Sequence, residues 1–407
     1  MSINDPQQAG SGRVFLPIYI AMFSCMAAMM GFVSMAGAMA KTFALAPWQI
    51  GMTVTVSGLV WVLASRAWGQ RSDRVGRRPV LQRGALIFVV AYALMTLSVG
   101  VGQATGLTGW LMLALLALTR AGMGLGFAAI PTAANAYIAD RTQPEERAGQ
   151  MGRLGAMQAM GMIAGPALVS LLAWAGVVLP LAVLAVMPFV ALVALQRGLT
   201  EPVVERGEQR PPLSMLDARL RTVCLIGIGA MFCVGIAQIS VGFLVIDRFG
   251  MTPTQGAQYA GIALTVVGIA LIPAQLSVRA LGWTPAVLLM AGASLAALGF
   301  LCSALSAHIA VLLIGYALSG FGLGWVFAGI SAQAANSVSG EEQGRAAGAV
   351  SASQGLGVMV GPLAGALLYG IAPSIPYLAG AALLIILAGL AFSVRLRATG
   401  TTPTRDT

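Results

Sequence analysis

A chain of 407 residues in which 58% are hydrophobic and only 9% charged is not an ordinary soluble domain, where about a quarter of residues carry charge. Its 23 Lys and Arg against 13 Asp and Glu leave a formal charge of +10, but the excess sits in short connections between apolar runs, which excludes a nucleic-acid binder. A single histidine and four cysteines without ligand spacing exclude a His-based metal site or a Ser-His-Asp triad, and no phosphate loop is present, so neither an enzyme nor an ATP-driven pump is expected.

The apolar runs are about 20 residues long, enough to cross roughly 30 Å of hydrocarbon as helices. They fall at about 14–40, 48–69, 80–101, 107–138, 154–173, 176–196, 222–246, 255–276, 284–305, 308–337, 346–369 and 373–394. None alternates as a barrel strand does, so the fold class is all-α and integral to the membrane. The first run is longer than the ~7–15 residue apolar core of a signal peptide and reads as helix one, not as a leader cleaved after Ala40.

Between the second and third runs, GQRSDRVGRRPVL at 69–81 gathers Arg71, Arg74, Arg77 and Arg78 around one carboxylate, Asp73. Lys41 and Arg248 fall in connections on the opposite side of the membrane, and Arg120 lies inside the fourth run. The other Lys and Arg lie at or near connections and tails on one side, which the positive-inside rule makes cytoplasmic, with both termini there. Burying Arg120 costs at least about 2.5–3.5 kcal/mol on insertion scales, so it must face a partner or a cavity; the bland alternative is a hydrogen bond to carbonyls of helix one. The fifth run carries Gly161, Gly165 and Pro166, residues that permit close helix contact and bend the helix.

Residues 197–221 are charged and Pro-containing and read as a linker between six-helix bundles at 1–196 and 222–407. The second half repeats the first. Phe43, Pro47, Gln49, Gly76 and Pro79 match Phe249, Pro253, Gln255, Gly282 and Pro285 at one constant offset. RAGMGLGF at 120–127 matches LSGFGLGW at 318–325, and Gly161, Gly165 and Pro166 match Gly357, Gly361 and Pro362. Six helices per half make the repeats parallel, with a binding site expected between them near the midplane. Polar residues at that depth among apolar neighbours are Asn135, Gln158, Gln238, Gln354 and Arg120, with Phe32 and Trp325, and Met26 and Phe232, as adaptable apolar contacts.

These features resemble the major facilitator superfamily. GQRSDRVGRRPVL is similar to its loop signature, with Gly69, Asp73, Gly76 and Arg77 in matching positions; RAGMGLGFAA resembles its helix-four signature with Arg120; GMIAGPALVS resembles the helix-five antiporter signature. YIADRTQPEERA at 137–148 is similar to drug:proton antiporters of the tetracycline-efflux type. Val169 and Ser170 stand where the antiporter signature ends in glycines, and helix one carries no acidic residue. The resemblance implies a proton-coupled exporter of small amphipathic molecules, with a siderophore or metabolite exporter of the same fold as the alternative. It implies a latch in which Asp73 pairs with Arg345 at the start of helix eleven when the cytoplasmic side closes. Coupling would fall to Arg120, or to Asp73 or Asp247 at the edges. The expected setting is a bacterial cytoplasmic membrane, with a neutral or anionic cargo and lipids as partners, a monomeric state, and a proton gradient in place of any cofactor or metal.

Overall fold

The computed structural model describes residues 11–200 and 213–400. Their contacts divide the chain into two compact units, Met1–Glu208 with Pro253–Gly261, and Gln209–Thr252 with Ile262–Thr407. The first unit holds α1 (Ser11–Ser34), α2 (Ala36–Thr42), α3 (Pro47–Val75), α4 (Arg77–Thr105), α5 (Gly109–Arg141), α6 (Pro144–Leu172), α7 (Val178–Gly198) and the first turns of α9 (Pro253–Leu281). The second holds α8 (Arg221–Phe249), the rest of α9, α10 (Pro285–Ala304), α11 (Ile309–Asn336), α12 (Gln343–Tyr369) and α13 (Ile375–Gly400). Twelve of these helices are long and apolar enough to cross a membrane, and no strand occurs among the described residues.

The repeat seen in the sequence is a repeat of packing. In the first unit α1 packs on α6 and α7, and α4 on α5 and α7; in the second α8 packs on α12 and α13, and α10 on α11 and α13. The turns repeat as well. Gly76, between α3 and α4, has φ +98°, and its mate Gly282 has φ +60°; Gly250 after α8 has φ +64°, and its mate Ala44 has φ +52°. Three of these four positions carry glycine because a Cβ is strained in the left-handed region; Ala44 accepts that strain.

Two boundaries differ from the hydropathy reading. The charged stretch after the second span is not a loop. Only Gly76 interrupts the helix, so 69–75 extends α3 and 77–81 opens α4. Polar residues continue a helix past the hydrocarbon with no penalty, since arginine stems snorkel toward water. The first apolar run is broken at Met35 into α1 and α2. The amide N–H of Ala46 donates to Gln49 Oε1 at 2.7 Å, and Pro47 occupies the first turn of α3, which fixes where that helix begins.

Candidate functional site

At the end of α3 the glycines of the charged signature have separate uses. A Cβ on Gly69 would rest 3.6 Å from Thr132 Cγ2, an ordinary contact, whereas Gly76 supplies the left-handed turn. That turn drops Arg77 into the bundle, where it is 5% exposed. Its Nε donates to Asp140 Oδ2 of α5 at 2.9 Å, and its Nη1 donates to Ser72 Oγ at 3.2 Å and to Asp73. Asp73 is therefore one of two carboxylates on one guanidinium, and its side chain stays 44% exposed. Asp140, 63 residues from Arg77, was not singled out in the sequence, because nothing local marks it as a partner.

Arg345 belongs to the second unit, where Arg345 Nη1 lies 3.8 Å from Glu342 Oε1. Glu342 also accepts from Arg219 at 2.9 Å, and Arg219 donates to Asp217 at 3.0 Å, so charges alternate from the start of α8 to the start of α12. Hydrogen bonds from Arg219 hold the Asp217 and Glu342 carboxyls below their ordinary range, and those two acids raise the guanidinium in turn.

Arg120 is 1% exposed and points from α5 at α1. Its Nη1 lies 3.4 Å from Met29 Sδ, and its guanidinium carbon sits 4.6 Å from the centre of the Phe32 ring. Among the described residues its Nε has no hydrogen-bond partner, nor has the hydroxyl of Tyr92 on α4. No carboxylate among the described residues pairs with it. A desolvated cation–π contact contributes about 2 kcal/mol, less than the several kcal/mol that burying an ion costs. Arg120 faces a partner, as a buried charge requires: helix one offers it a thioether and an aromatic face in place of carbonyls. Phe32, read as a pocket wall, is the buried platform beneath it.

The glycine–proline elements are close helix contacts. A Cβ on Gly161 would meet the Phe23 carbonyl oxygen at 2.5 Å, and one on Gly165 the Ala27 carbonyl oxygen at 2.1 Å. On the other repeat, Cβ atoms on Gly357 and Gly361 would meet the carbonyl oxygens of Ile228 and Phe232 at 2.2 and 2.6 Å. Pro166 and Pro362 are buried beside them, and Gly235 on α8 makes room for the Pro362 ring. Helix-on-helix approach this close is possible only without a side chain.

Gln158 in the first unit and Gln238 and Gln354 in the second are half-buried, with amides that bond to no described group. Met26 is buried and Phe232 half-buried. Asn135 turns back instead, donating to the Pro131 carbonyl of its own helix at 2.8 Å. Trp325 donates to Ser277 Oγ at 2.9 Å and its ring meets those of Phe321 and Trp283 edge-on, with centroids 5.0 and 5.2 Å away. Asp247, at the end of α8, accepts from the Tyr369 hydroxyl at 2.9 Å. Beside it Arg248 donates to the Ala304 carbonyl at 2.8 Å and to Ser374 Oγ at 2.5 Å, tying the ends of α8 and α10 to the start of α13. The sequence reading also missed a buried hydroxyl pair, Tyr316 and Tyr377, 2.9 Å apart, with the Ala237 carbonyl 2.8 Å from Tyr316. Such pairs join residues 61 or 79 positions apart and leave no local pattern.

The family model of the Major Facilitator Superfamily matches residues 18–306 and 283–406. The tetracycline resistance protein, class C, of Escherichia coli is 30% identical over 379 residues, covering 86% of this chain and 89% of that protein. Among solved structures, a bacterial homolog of the human lysosomal transporter Spinster superimposes with TM-score 0.74 at 15% identity, over 95% of this chain and 97% of that one. A D-xylose–proton symporter superimposes with TM-score 0.70 at 14% identity, over 93% and 97%. The solved structures bear on the fold alone.

Proposed function

The chain belongs to the Major Facilitator Superfamily and is a multi-pass membrane transporter, not an enzyme; within that family we propose that it is a proton-coupled exporter of small amphipathic molecules, neutral or anionic. The observation that carries the reading of cargo charge is Arg120. A lipophilic cation needs a buried carboxylate to offset its desolvation. Among the described residues Asp73, Asp140 and Asp247 lie near helix ends, while the one ion deep in a span is a cation without an anionic partner. The tetracycline resistance relative supports cargo of an antibiotic kind. The half-buried amides of Gln158, Gln238 and Gln354 supply adaptable hydrogen bonding for it.

The proposed cycle is alternating access by two six-helix halves in a bacterial cytoplasmic membrane, with both termini inside and the protein acting as a monomer. Asp73, shared here with Arg77, exchanges that partner for Arg345 when the cytoplasmic side closes, and the arginine cluster holds α3 and α4 against anionic headgroups. Proton coupling falls to the carboxylates at the edges, Asp73 or Asp247, or to competition around Arg120. Gly165 and Pro166 keep the outer half tight to protons. The test is export from intact cells. Cells producing the protein should accumulate less of a neutral or anionic antibiotic until a protonophore is added, and accumulation equal to that of empty cells for every compound of both kinds would refute export.

A further inference from the structure

The sequence match between the repeats sets Leu318 opposite Arg120, but the close helix contacts pair other residues. A Cβ on Gly126 would lie 2.5 Å from the Phe88 amide nitrogen and 2.6 Å from the Gly84 carbonyl oxygen of α4. One on Gly322 would lie 2.5 Å from the Ala296 amide nitrogen and 2.5 Å from the Gly292 carbonyl oxygen of α10. Gly126 and Gly322 are therefore structural mates, and the same register sets Tyr316 where the first unit has Arg120. Arg120 reaches from α5 to Met29 and Phe32 of α1; Tyr316 reaches from α11 to α8, the corresponding helix.

What Tyr316 grips on α8 is a backbone carbonyl. Its hydroxyl has one proton, donated to the Ala237 carbonyl at 2.8 Å, so in the 2.9 Å contact between the two phenols Tyr377 of α13 is the donor. Within α8 the Ala237 carbonyl already accepts the Val241 amide, so the phenol fills its second lone pair. Ser240 stands one turn further on. Span serines such as Ser34 and Ser303 give their hydroxyls to a carbonyl of the preceding turn, Gly31 at 2.8 Å and Gly299 at 2.9 Å. The carbonyl three residues before Ser240 is the one that Tyr316 holds, and the buried Ser240 hydroxyl has no partner among the described residues. The half-buried Gln238 lies between the two.

We propose that Tyr316 is a positioning residue that competes with Ser240 for the Ala237 carbonyl, giving α8 two hydrogen-bonded arrangements around Gln238. With Tyr316 bonded, the Ser240 hydroxyl is unsatisfied. With Tyr316 withdrawn, Ser240 bonds back to its own helix and bends it, and the Gln238 amide moves with the bend. One hydrogen bond replaces another, which keeps the gap between the two arrangements small. The competition rests on geometry; its bearing on cargo rests on the exporter reading, in which Gln238 supplies hydrogen bonding.

Two readouts on the full chain in detergent test this, neither needing cargo. The first is the thermal midpoint across Tyr316→Phe, Ser240→Ala and the double variant. Ser240→Ala should raise the parent's midpoint by about 1–2 °C, because it removes an unsatisfied buried hydroxyl. In the Tyr316→Phe background, where Ser240 holds the carbonyl, the same change should lower the midpoint by about 1–2 °C. In Tyr377→Phe, which leaves the bond from Tyr316 to Ala237 in place, Ser240→Ala should still raise it. The second readout is the rate at which a water-soluble maleimide labels Gln238→Cys in a chain whose four native cysteines are replaced by alanine. Tyr316→Phe should change that rate at least about threefold, the lower end of coupling between contacting residues, and adding Ser240→Ala should restore it although the double variant is the less stable. Should Tyr316→Phe not fold, the parent and Tyr377→Phe arms remain, and failure of Ser240→Ala to raise the midpoint in either would overturn the proposal. So would additive midpoints, an unchanged labelling rate, or one that Ser240→Ala does not restore. A protein that shows the sign reversal yet exports nothing would sink the exporter reading and leave the role of Tyr316 standing.

Discussion

Arg77 Nε and Asp140 Oδ2 lie 2.9 Å apart, joining the first residue of α4 to the last turn of α5 with side chains only 7% and 18% exposed. Breaking a buried pair by removing one partner costs about 3–5 kcal/mol, whereas an exposed pair contributes about 0–1 kcal/mol. Asp140→Asn should therefore lower the thermal midpoint clearly. Asp73→Asn should barely move it, yet abolish transport by removing the charge of the latch. Thermal unfolding in detergent and efflux, measured on both variants, separate the two; an Asp73→Asn variant that exports normally would contradict the latch.

Arg120 gives the opposite pattern. A buried charge without an ionic partner is replaced by a well-packed apolar side chain at little or no loss of stability. Arg120→Met should keep or raise the thermal midpoint while reducing export about tenfold or more. Arg120→Lys should not rescue it, because a compact ammonium lacks the planar face that lies over Phe32. Export retained by Arg120→Met would remove Arg120 from the transport chemistry.

Ala44 holds φ +52° where its repeat mate is Gly250. Relief of left-handed strain is about 1 kcal/mol, partly offset by the greater freedom of glycine in the unfolded chain. Ala44→Gly should be neutral to stabilising by up to about 1 kcal/mol, and Gly250→Ala destabilising by a similar amount. The pair of thermal midpoints checks both signs.

The Asp217, Arg219 and Glu342 cluster should respond to pH in one direction. Both carboxyls are depressed by Arg219, so their contribution is present above the unfolded carboxylate range, about pH 4, and lost as pH falls through the lower folded values. Amide exchange at 213–221 should be unchanged between pH 8 and 6 once corrected for intrinsic rates. It should rise on acidification below about pH 4 and in high salt, which screens exposed charges. Arg219→Gln should show the acid-state exchange already at neutral pH.

Much of the fold was legible because the membrane imposes it. A span needs length and apolarity, both local properties, and the repeat was visible at Gly76 with Gly282 and at Pro166 with Pro362 because turns and close contacts constrain single residues. Helix ends were not legible: 69–75 continue α3 because charged residues form helix beyond the hydrocarbon as readily as apolar ones do within it. The partners of the site residues were also out of reach. Asp140 for Arg77, Phe32 and Met29 for Arg120, and Glu342 for Arg219 lie 63 to 123 positions away and are fixed by tertiary packing. The spacing of polar residues marks Arg120 and the glutamines as unusual, but could not show that Asn135 folds back on its own helix or that Trp325 is held by Ser277.

The central claim is proton-driven export of neutral or anionic cargo by a site that depends on Arg120. Its most direct test is uptake into everted membrane vesicles with an acidified lumen, across neutral, anionic and lipophilic cationic compounds. The account predicts accumulation of neutral or anionic compounds that collapses when the pH gradient is dissipated, little accumulation of an ethidium-type cation, and none of either with Arg120→Ala. Accumulation of the cation as strong as that of the neutral compounds, with Arg120→Ala still active, would contradict it.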